Sequence, residues 1–381
     1  MILKKFWGGF SSFLTTAIIA VFLLGTSVAM ANDDSHTTDS HTEHAEKKGF
    51  DAGAMIFNHV LDAHSWHVMD IGEHAISVPL PIIIYDQNGS GFHFFMSSRF
   101  EHGHAAYDGY KLLDNKIVRE SYTEHEVATA EGEHAEVAVE EPGILDFSIT
   151  KNVVALFVSS FIIFFLFVSV AKTYKRRKGQ APSGVQNFLE PIILFIRDDI
   201  AKDSIGHKYE KYMPYLLTIF FFILINNLMG LVPILPGGAN LTGNISVTLV
   251  LAMFTFVITT FSANKNYWVH IINMPGVPWW LKFPLPLMPL VEIMGVFTKP
   301  FVLMVRLFAN ITAGHIVILG FMSMIFIFGE ISPVAGYGVS VVSVAFSLFL
   351  SILEILVAFI QAYVFTLLSA LYFGMAMEEE H

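Results

Sequence analysis

Apolar and polar positions along this chain follow two regimes that meet near Glu141. Beyond that point apolar residues run unbroken over membrane-spanning lengths, whereas before it they are scattered among Asp, Glu and His. Residues 153–171 carry no charge and are followed at once by Lys172, Lys175, Arg176, Arg177 and Lys178. A first transmembrane helix is therefore predicted at about 151–172, with its basic end in the cytoplasm. Residues 188–205 mix apolar positions with Glu190, Arg197, Asp198, Asp199 and Lys202, the pattern of a helix lying in the interface. Uncharged spans follow at 213–235 and 245–263, joined by the loop 236–244, which lacks Lys and Arg. The next connection, 264–282, holds Lys265, Lys282 and three of the five Trp, as a cytoplasmic loop with an aromatic belt does. The last two spans are expected at 287–328 and 338–377, linked by a short loop whose only charge is Glu330. The mature amino terminus then lies outside and the carboxyl terminus inside.

The last two spans are each close to 40 residues long. At about 1.5 Å per residue each would reach roughly 60 Å, twice the ~30 Å hydrocarbon thickness. Such helices must tilt strongly, bend or break. A pair of long slanted helices suits the flank of a curved partner.

The amino-terminal region reads differently. Lys4 and Lys5, an apolar run from 17 to 24 and the small-residue pattern at 29–31 make residues 1–31 a signal peptide, with cleavage expected after Ala31. Residues 32–148 form a polar extracytoplasmic segment rich in histidine. His64 with His67, and His102 with His104, have spacings that could ligate a metal, but no regular ligand framework surrounds them. The simpler reading is a solvated, partly disordered segment. Within it a hairpin is predicted at 82–96, where two apolar runs flank Gln87-Asn88-Gly89-Ser90-Gly91.

Composition narrows the function. Of 381 residues 54% are hydrophobic and 14% charged, which places the chain among integral membrane proteins of all-α class. The net charge of -11 collects in the outer segment and gives no footprint for nucleic acid. Without cysteine there is no disulfide and no thiolate chemistry. No phosphate-binding Gly-x-x-x-x-Gly-Lys-Ser/Thr loop and no His-Glu-x-x-His motif occurs, so neither a nucleotide site nor an intramembrane metalloenzyme is indicated, and no cofactor is implied. A secondary transporter would show corresponding repeats, and none relates 150–265 to 285–377.

The long spans hold few ionisable residues: Glu292, Lys299, Arg306, His315 and Glu354, with Asn310 and Gln361 as polar companions. A charge at a helix centre costs about 2.5–3.5 kcal/mol on insertion scales, so each is a functional candidate. At 100° per residue Glu292, Lys299, Arg306 and Asn310 share one face, while His315 turns to the opposite face, about 13.5 Å further along. Glu354 and Gln361 share a face of the final helix. Antiparallel packing of the two helices would let His315 meet Glu354 as a titratable pair.

The run Met304-Val305-Arg306-Leu307-Phe308-Ala309-Asn310-Ile311-Thr312-Ala313-Gly314-His315 resembles the Arg-Leu-Phe-x-Asn-x-x-Ala-Gly signature of the a subunit of F-type ATP synthases. Asn227-Leu228 with Pro233, and Gln361-Ala362-Tyr363-Val364-Phe365, are similar to two further motifs of that family. The similarity runs from about residue 150 to the end and assigns 149–381 as the membrane domain. It implies an arginine, Arg306, that faces the carboxylates of a rotor ring of c subunits and separates two aqueous half-channels. Asn310 and Gln361 would line the same zone, Asn227 the outer half-channel and Glu292 the inner one. His315 and Glu354 occupy positions where many bacterial members have Glu and His, the same pair in reversed order. The implied partners are the c ring, the peripheral-stalk b subunits, the catalytic F1 sector and membrane lipid, in a bacterial inner membrane.

Overall fold

A computed structural model of the chain describes residues 50–71, 74–87, 91–103, 105–113, 115–120, 127–128, 134–135, 143–232, 237–272 and 287–377. The expected signal peptide lies outside them. Among these residues the chain divides into two units, one holding 156–318 and 348–377, the other 50–155 and 319–347.

The first unit is a helical membrane bundle. Its helices are the body of α2 (Lys151–Arg176), α3 (Val185–Phe195), α4 (Tyr209–Leu231), α5 (Ile245–Ser262), α6 (Lys265–Ile272) and the parts of α7 (Leu287–Ile331) up to residue 318 and of α8 (Pro333–Met377) from residue 348. Among the described residues five helical stretches are long and apolar enough to cross a membrane. The protein is thus an all-α multi-pass membrane protein. α2 has neither Pro nor Gly, ends on Lys175 and Arg176 where cations suit the helix dipole, and buries Leu156, Ile163, Phe167 and Val170 on one stripe. α4 is buried almost all round, from Tyr212 to Ile223 and again at Asn226, Asn227 and Gly230, which makes it the centre of the bundle.

An interfacial helix was expected at 188–205; in the structure α3 runs on through a π-helical stretch, Ile196–Lys202, and two short turns, Asp203–Ile205 and Gly206–Lys208, directly into α4. α5 starts at Asn244, whose side chain accepts the Ser246 N–H at 2.9 Å and caps the helix. On α8 the buried positions Glu354, Ala358, Gln361, Phe365, Ser369 and Phe373 recur every three or four residues. Its last turn is held by Asn264, which donates its backbone N–H to Ala376 O at 2.8 Å and its side-chain amide to Met377 O at 2.9 Å. Beside that turn Gly374 lies so close to the Ser204 carbonyl that a Cβ would collide with it.

The second unit, called the outer unit after its expected placement, holds the segment expected to be solvated and partly disordered, and the described residues of that segment form strands. α1 (Ala52–Val60) precedes two antiparallel strands, β1 (Ser65–Ile71) and β2 (His74–Pro79). The expected hairpin is present as β3 (Pro81–Asp86) and β4 (Gly91–Met96), with Ile83 opposite Phe94 and Tyr85 opposite Phe92. β5 (Tyr110–Leu113) pairs with β6 (Lys116–Arg119), β7 (Val127–Ala128) with β8 (His134–Ala135), and β9 (Ile144–Asp146) completes the sheet order β4-β3-β9. A small core forms from Ile82, Ile84, Phe95, Phe100, Tyr110 and Ile117. Beneath it the buried Asp86 accepts hydrogen bonds from Tyr110 Oη at 2.9 Å and from the Arg119 guanidinium. Burial and that bond push the Tyr110 phenol up to about 12.

Residues 59–63 grip the start of α2. Lys151 Nζ donates to His59 O and Leu61 O at 3.1 and 3.0 Å, and Asp62 Oδ1 accepts the Asn152 N–H at 3.0 Å. His64, 6% exposed, is bonded through Nε2 to Asp146 Oδ2 at 2.8 Å. Among the described residues no group of three or more potential metal ligands occurs.

The same unit contains the tip where α7 meets α8. A loop across 329–337 was expected, but the helices extend to Ile331 and from Pro333, leaving Ser332 alone between them. Proline suits the first turn of a helix. Gly329 and Gly336 are packing residues here rather than loop breakers, since a Cβ on Gly336 would stand 2.8 Å from Gly329 Cα. Phe50 donates its N–H to Glu330 Oε1 at 2.7 Å and stacks against Phe326 at 4.9 Å.

Candidate functional site

The polar residues of the bundle converge where α4, the loop 237–244, α7 and α8 meet. Glu354 is 4% exposed, and its Oε1 lies 3.9 Å from His315 Nε2. Among the described residues neither carboxylate oxygen accepts a hydrogen bond. Gly314 makes room for the pair, whereas a Cβ on Gly230 would only make ordinary contact with it. A Cβ on Gly314 would fall 2.6 Å from Glu354 Oε1, and one on Gly230 would fall 3.5 Å from His315 Nε2. The meeting of His315 with Glu354 is therefore built by close backbone approach as well as by helix register.

Asn227 belongs to the same cluster. It is buried on α4, one turn before Gly230, accepts a hydrogen bond from Thr242 Oγ1 at 2.6 Å and donates one to Ala358 O at 3.4 Å. Ala358 is one turn beyond Glu354 on α8, so Asn227 joins the loop to the helix that carries the carboxylate. Thr312 donates to Gly243 O at 3.5 Å and ties α7 to the same loop. Thr242, Gly230 and Gly314 were not singled out from sequence, although the cluster of Asn, Thr and Gly in 236–244 was a visible signal.

Arg306 is placed quite differently. It is exposed on α7 with Asn310 one turn on, and Val302 and Val305 beside it are exposed as well, while Leu303, Met304, Leu307 and Ile311 face the core. Among the described residues no carboxylate lies within ion-pair distance of it. Ile352, Ile355, Leu356 and Phe359 leave α8 with an exposed apolar face of its own. The expected face shared by Glu292, Lys299, Arg306 and Asn310 divides: Lys299 is half-buried, with its ammonium 5.6 Å from the centre of the Tyr372 ring. Asn310 and Gln361, expected to line one zone, differ as well, Asn310 exposed and Gln361 buried.

Glu292 is half-buried near Tyr267, whose phenol is raised by burial and then by the Glu292 charge. Beside the stretch of α7 at Val296, Lys299 and Pro300 a cavity is lined also by Thr255, Thr259, Tyr267 and Tyr372. This part of the bundle offers hydroxyls and an ammonium rather than a metal site.

These polar groups sit on a helical framework that matches a known family model. The model described as ATP synthase A chain covers residues 153–374, more than half of the chain. The chain belongs to this family. It is 48% identical over 247 residues to ATP synthase subunit a of Chloroherpeton thalassium, covering 63% of this chain and 70% of that relative. With ATP synthase subunit a 2 of Chlorobaculum tepidum it shares 48% identity over 238 residues, 61% of this chain and 64% of the relative. A more divergent relative, subunit a of Anaeromyxobacter dehalogenans, is 41% identical over 244 residues, 61% of this chain and 58% of its own. A second model, a domain of unknown function (DUF8433), matches residues 55–147 and thereby covers the outer β strands.

Proposed function

We propose that the chain is the ion-conducting a subunit of a rotary ATP synthase, working beside a ring of c subunits and held by peripheral-stalk b subunits under a catalytic F1 sector. Protons enter from outside through a half-channel at Asn227, His315 and Glu354 and reach a ring carboxylate. They leave on the inner side past Glu292 after the ring has turned. Arg306 stands between the two paths, holds each arriving ring carboxylate in its charged form and blocks direct leakage, with Asn310 and Gln361 flanking the exchange. The observation that carries this reading is the contrast within one helix: α7 turns His315 toward a buried carboxylate and leaves Arg306 exposed on an apolar face. An arginine in such a setting needs an anionic partner from elsewhere.

Each proton crossing 100 mV releases about 2.3 kcal/mol, so several are needed per ATP, and rotation sums them. Arg306→Ala is expected to abolish ATP-driven proton pumping in inverted vesicles while the subunit remains inserted. Fluorescence quenching of a pH-sensitive dye measures it, and pumping at the unsubstituted rate would overturn the mechanism.

A further inference from the structure

The sheet β4-β3-β9 holds its charged residues, Asp86 and Asp146, on the core side and carries an uncharged apolar row on the other. Toward the core it presents Ile82, Ile84 and Phe95, all buried. The pairing register places Phe94 with Ile83, and Phe92 with Tyr85 and Leu145, on the opposite face. Met96, opposite Pro81, continues that row. Here Phe92 is 73% exposed, Phe94 72% and Met96 39%, with the Phe92 ring 4.7 Å from Tyr85. β4 is an edge strand, so three large apolar side chains stand in a row on a border where water-facing strands ordinarily carry charge.

The chain path brings this sheet to the start of α2. Only four residues separate β9 from α2, a reach of at most about 14 Å. They run beside the sheet: Phe147 N–H donates to Ile83 O at 2.8 Å and Ile149 N–H to Pro81 O at 3.1 Å, and Lys151 N–H then bonds Ala63 O at 2.9 Å. The Pro81–Met96 end of the hairpin is thereby fastened next to the first turn of a helix whose uncharged run begins at Val153. The interfacial zone outside the hydrocarbon is itself roughly 5–7 Å deep, and it is where aromatic side chains collect.

We propose that the outer face of this sheet is a lipid-contact surface, seating Phe92, Phe94 and Met96 in the headgroup region of the outer leaflet. Lipid is the occupant because the sheet continues directly into a membrane-crossing helix and its outward row carries no charge. The outer unit then anchors to the bilayer by a second contact besides α2. This inference does not depend on the proton path.

The absence of cysteine makes the test clean. Phe94→Cys and, separately, Phe92→Cys carry an environment-sensitive fluorophore in the assembled complex, reconstituted in vesicles of phosphatidylcholine and phosphatidylglycerol. Glu120→Cys, at an exposed polar position of the same unit, is the reference. Spin-labelled phospholipid is expected to quench the probes at 92 and 94 several-fold more than at 120, and aqueous iodide the reverse. Iodide quenching at 92 and 94 equal to that at 120 would show a water-facing surface and overturn the proposal. Resistance to both quenchers would mean that a protein partner covers the face, and would overturn it equally.

Discussion

Among the described residues each unit sets a histidine against a carboxylate, His64 with Asp146 in one and His315 with Glu354 in the other, and these two pairs are built to opposite ends. His64 and Asp146 are in hydrogen-bond contact at 2.8 Å, and Asp146 also accepts the Ser148 N–H at 2.8 Å, so the ion pair is closed and its neighbours are committed. His315 and Glu354 stand 3.9 Å apart, beyond hydrogen-bond reach, with the Gly314 backbone close against the carboxylate. The first arrangement stabilises; under the proposed function the second exchanges protons. Closeness in the outer unit and slackness in the bundle are thus two uses of the same chemistry.

Substitution should separate these uses. The largest effect is expected at the loose pair. Glu354→Gln should slow proton uptake into reconstituted vesicles on the order of 100-fold, the usual contribution of a positioned acid or base. The exchange His315→Glu with Glu354→His should recover part of that rate. Read as a double-mutant cycle, a double variant no faster than the product of the singles would show that the two act independently.

A smaller effect is expected from Gly314→Ala. Its methyl group enters the space of Glu354 Oε1, so ATP-driven pumping should fall a few-fold with assembly unchanged. An unchanged rate would mean that the pair tolerates displacement, and the contrast between slack and closed pairs would lose its meaning.

The smallest effect on transport, and the clearest on stability, belongs to His64. Burial favours the neutral imidazole, but the Asp146 bond and charge outweigh it and raise the pKa above 6.5; burial likewise opposes Asp146, whose bonds and partner charge keep it below 3.8. The raised histidine contributes stability that is fully present below about pH 6.5 and is lost as pH rises through its folded value. The lowered carboxylate contributes above about pH 3.8, and that share is lost as pH falls through its folded value. The outer unit should therefore be firmest between about pH 4 and 6.5. His64→Gln should remove about 1–3 kcal/mol of local stability and flatten the alkaline decline while pumping stays intact. Amide exchange in the β strands, corrected for intrinsic rates, measures it; an alkaline decline that persists in the variant would assign the titration to another group.

Much of the bundle was legible because membrane spans are written in long uninterrupted runs. The position of Arg306 and the meeting of His315 with Glu354 followed from residue spacing at 100° per residue and from the resemblance. Lys299 escaped that geometry because its long side chain leans toward Tyr372, a contact that angular spacing cannot encode. The tip at Ser332 was obscured because Gly and Pro mark loops and close-packed helix starts alike. The outer unit was the least readable. Its hairpin showed through two apolar runs around a glycine turn, but the rest of its core comes from Phe100, Tyr110 and Ile117, set singly in short polar stretches. No local periodicity reports a core assembled from such distant pieces.

The fastening of the carboxyl end of α8 has a mechanical side. Asn264 and the backbone contact at Gly374 clamp this helix as a rod is clamped at its root. Glu354 lies 23 residues before Met377, about 35 Å of rod away from the clamp. Deflection of a clamped rod under a sideways load rises steeply with distance from its root, so slack at the root is magnified at Glu354 and felt less at Gln361. In the proposed machine, where a turning partner pushes sideways on this helix, the rigidity of the proposed proton path is set partly by two backbone contacts and an amide at the root.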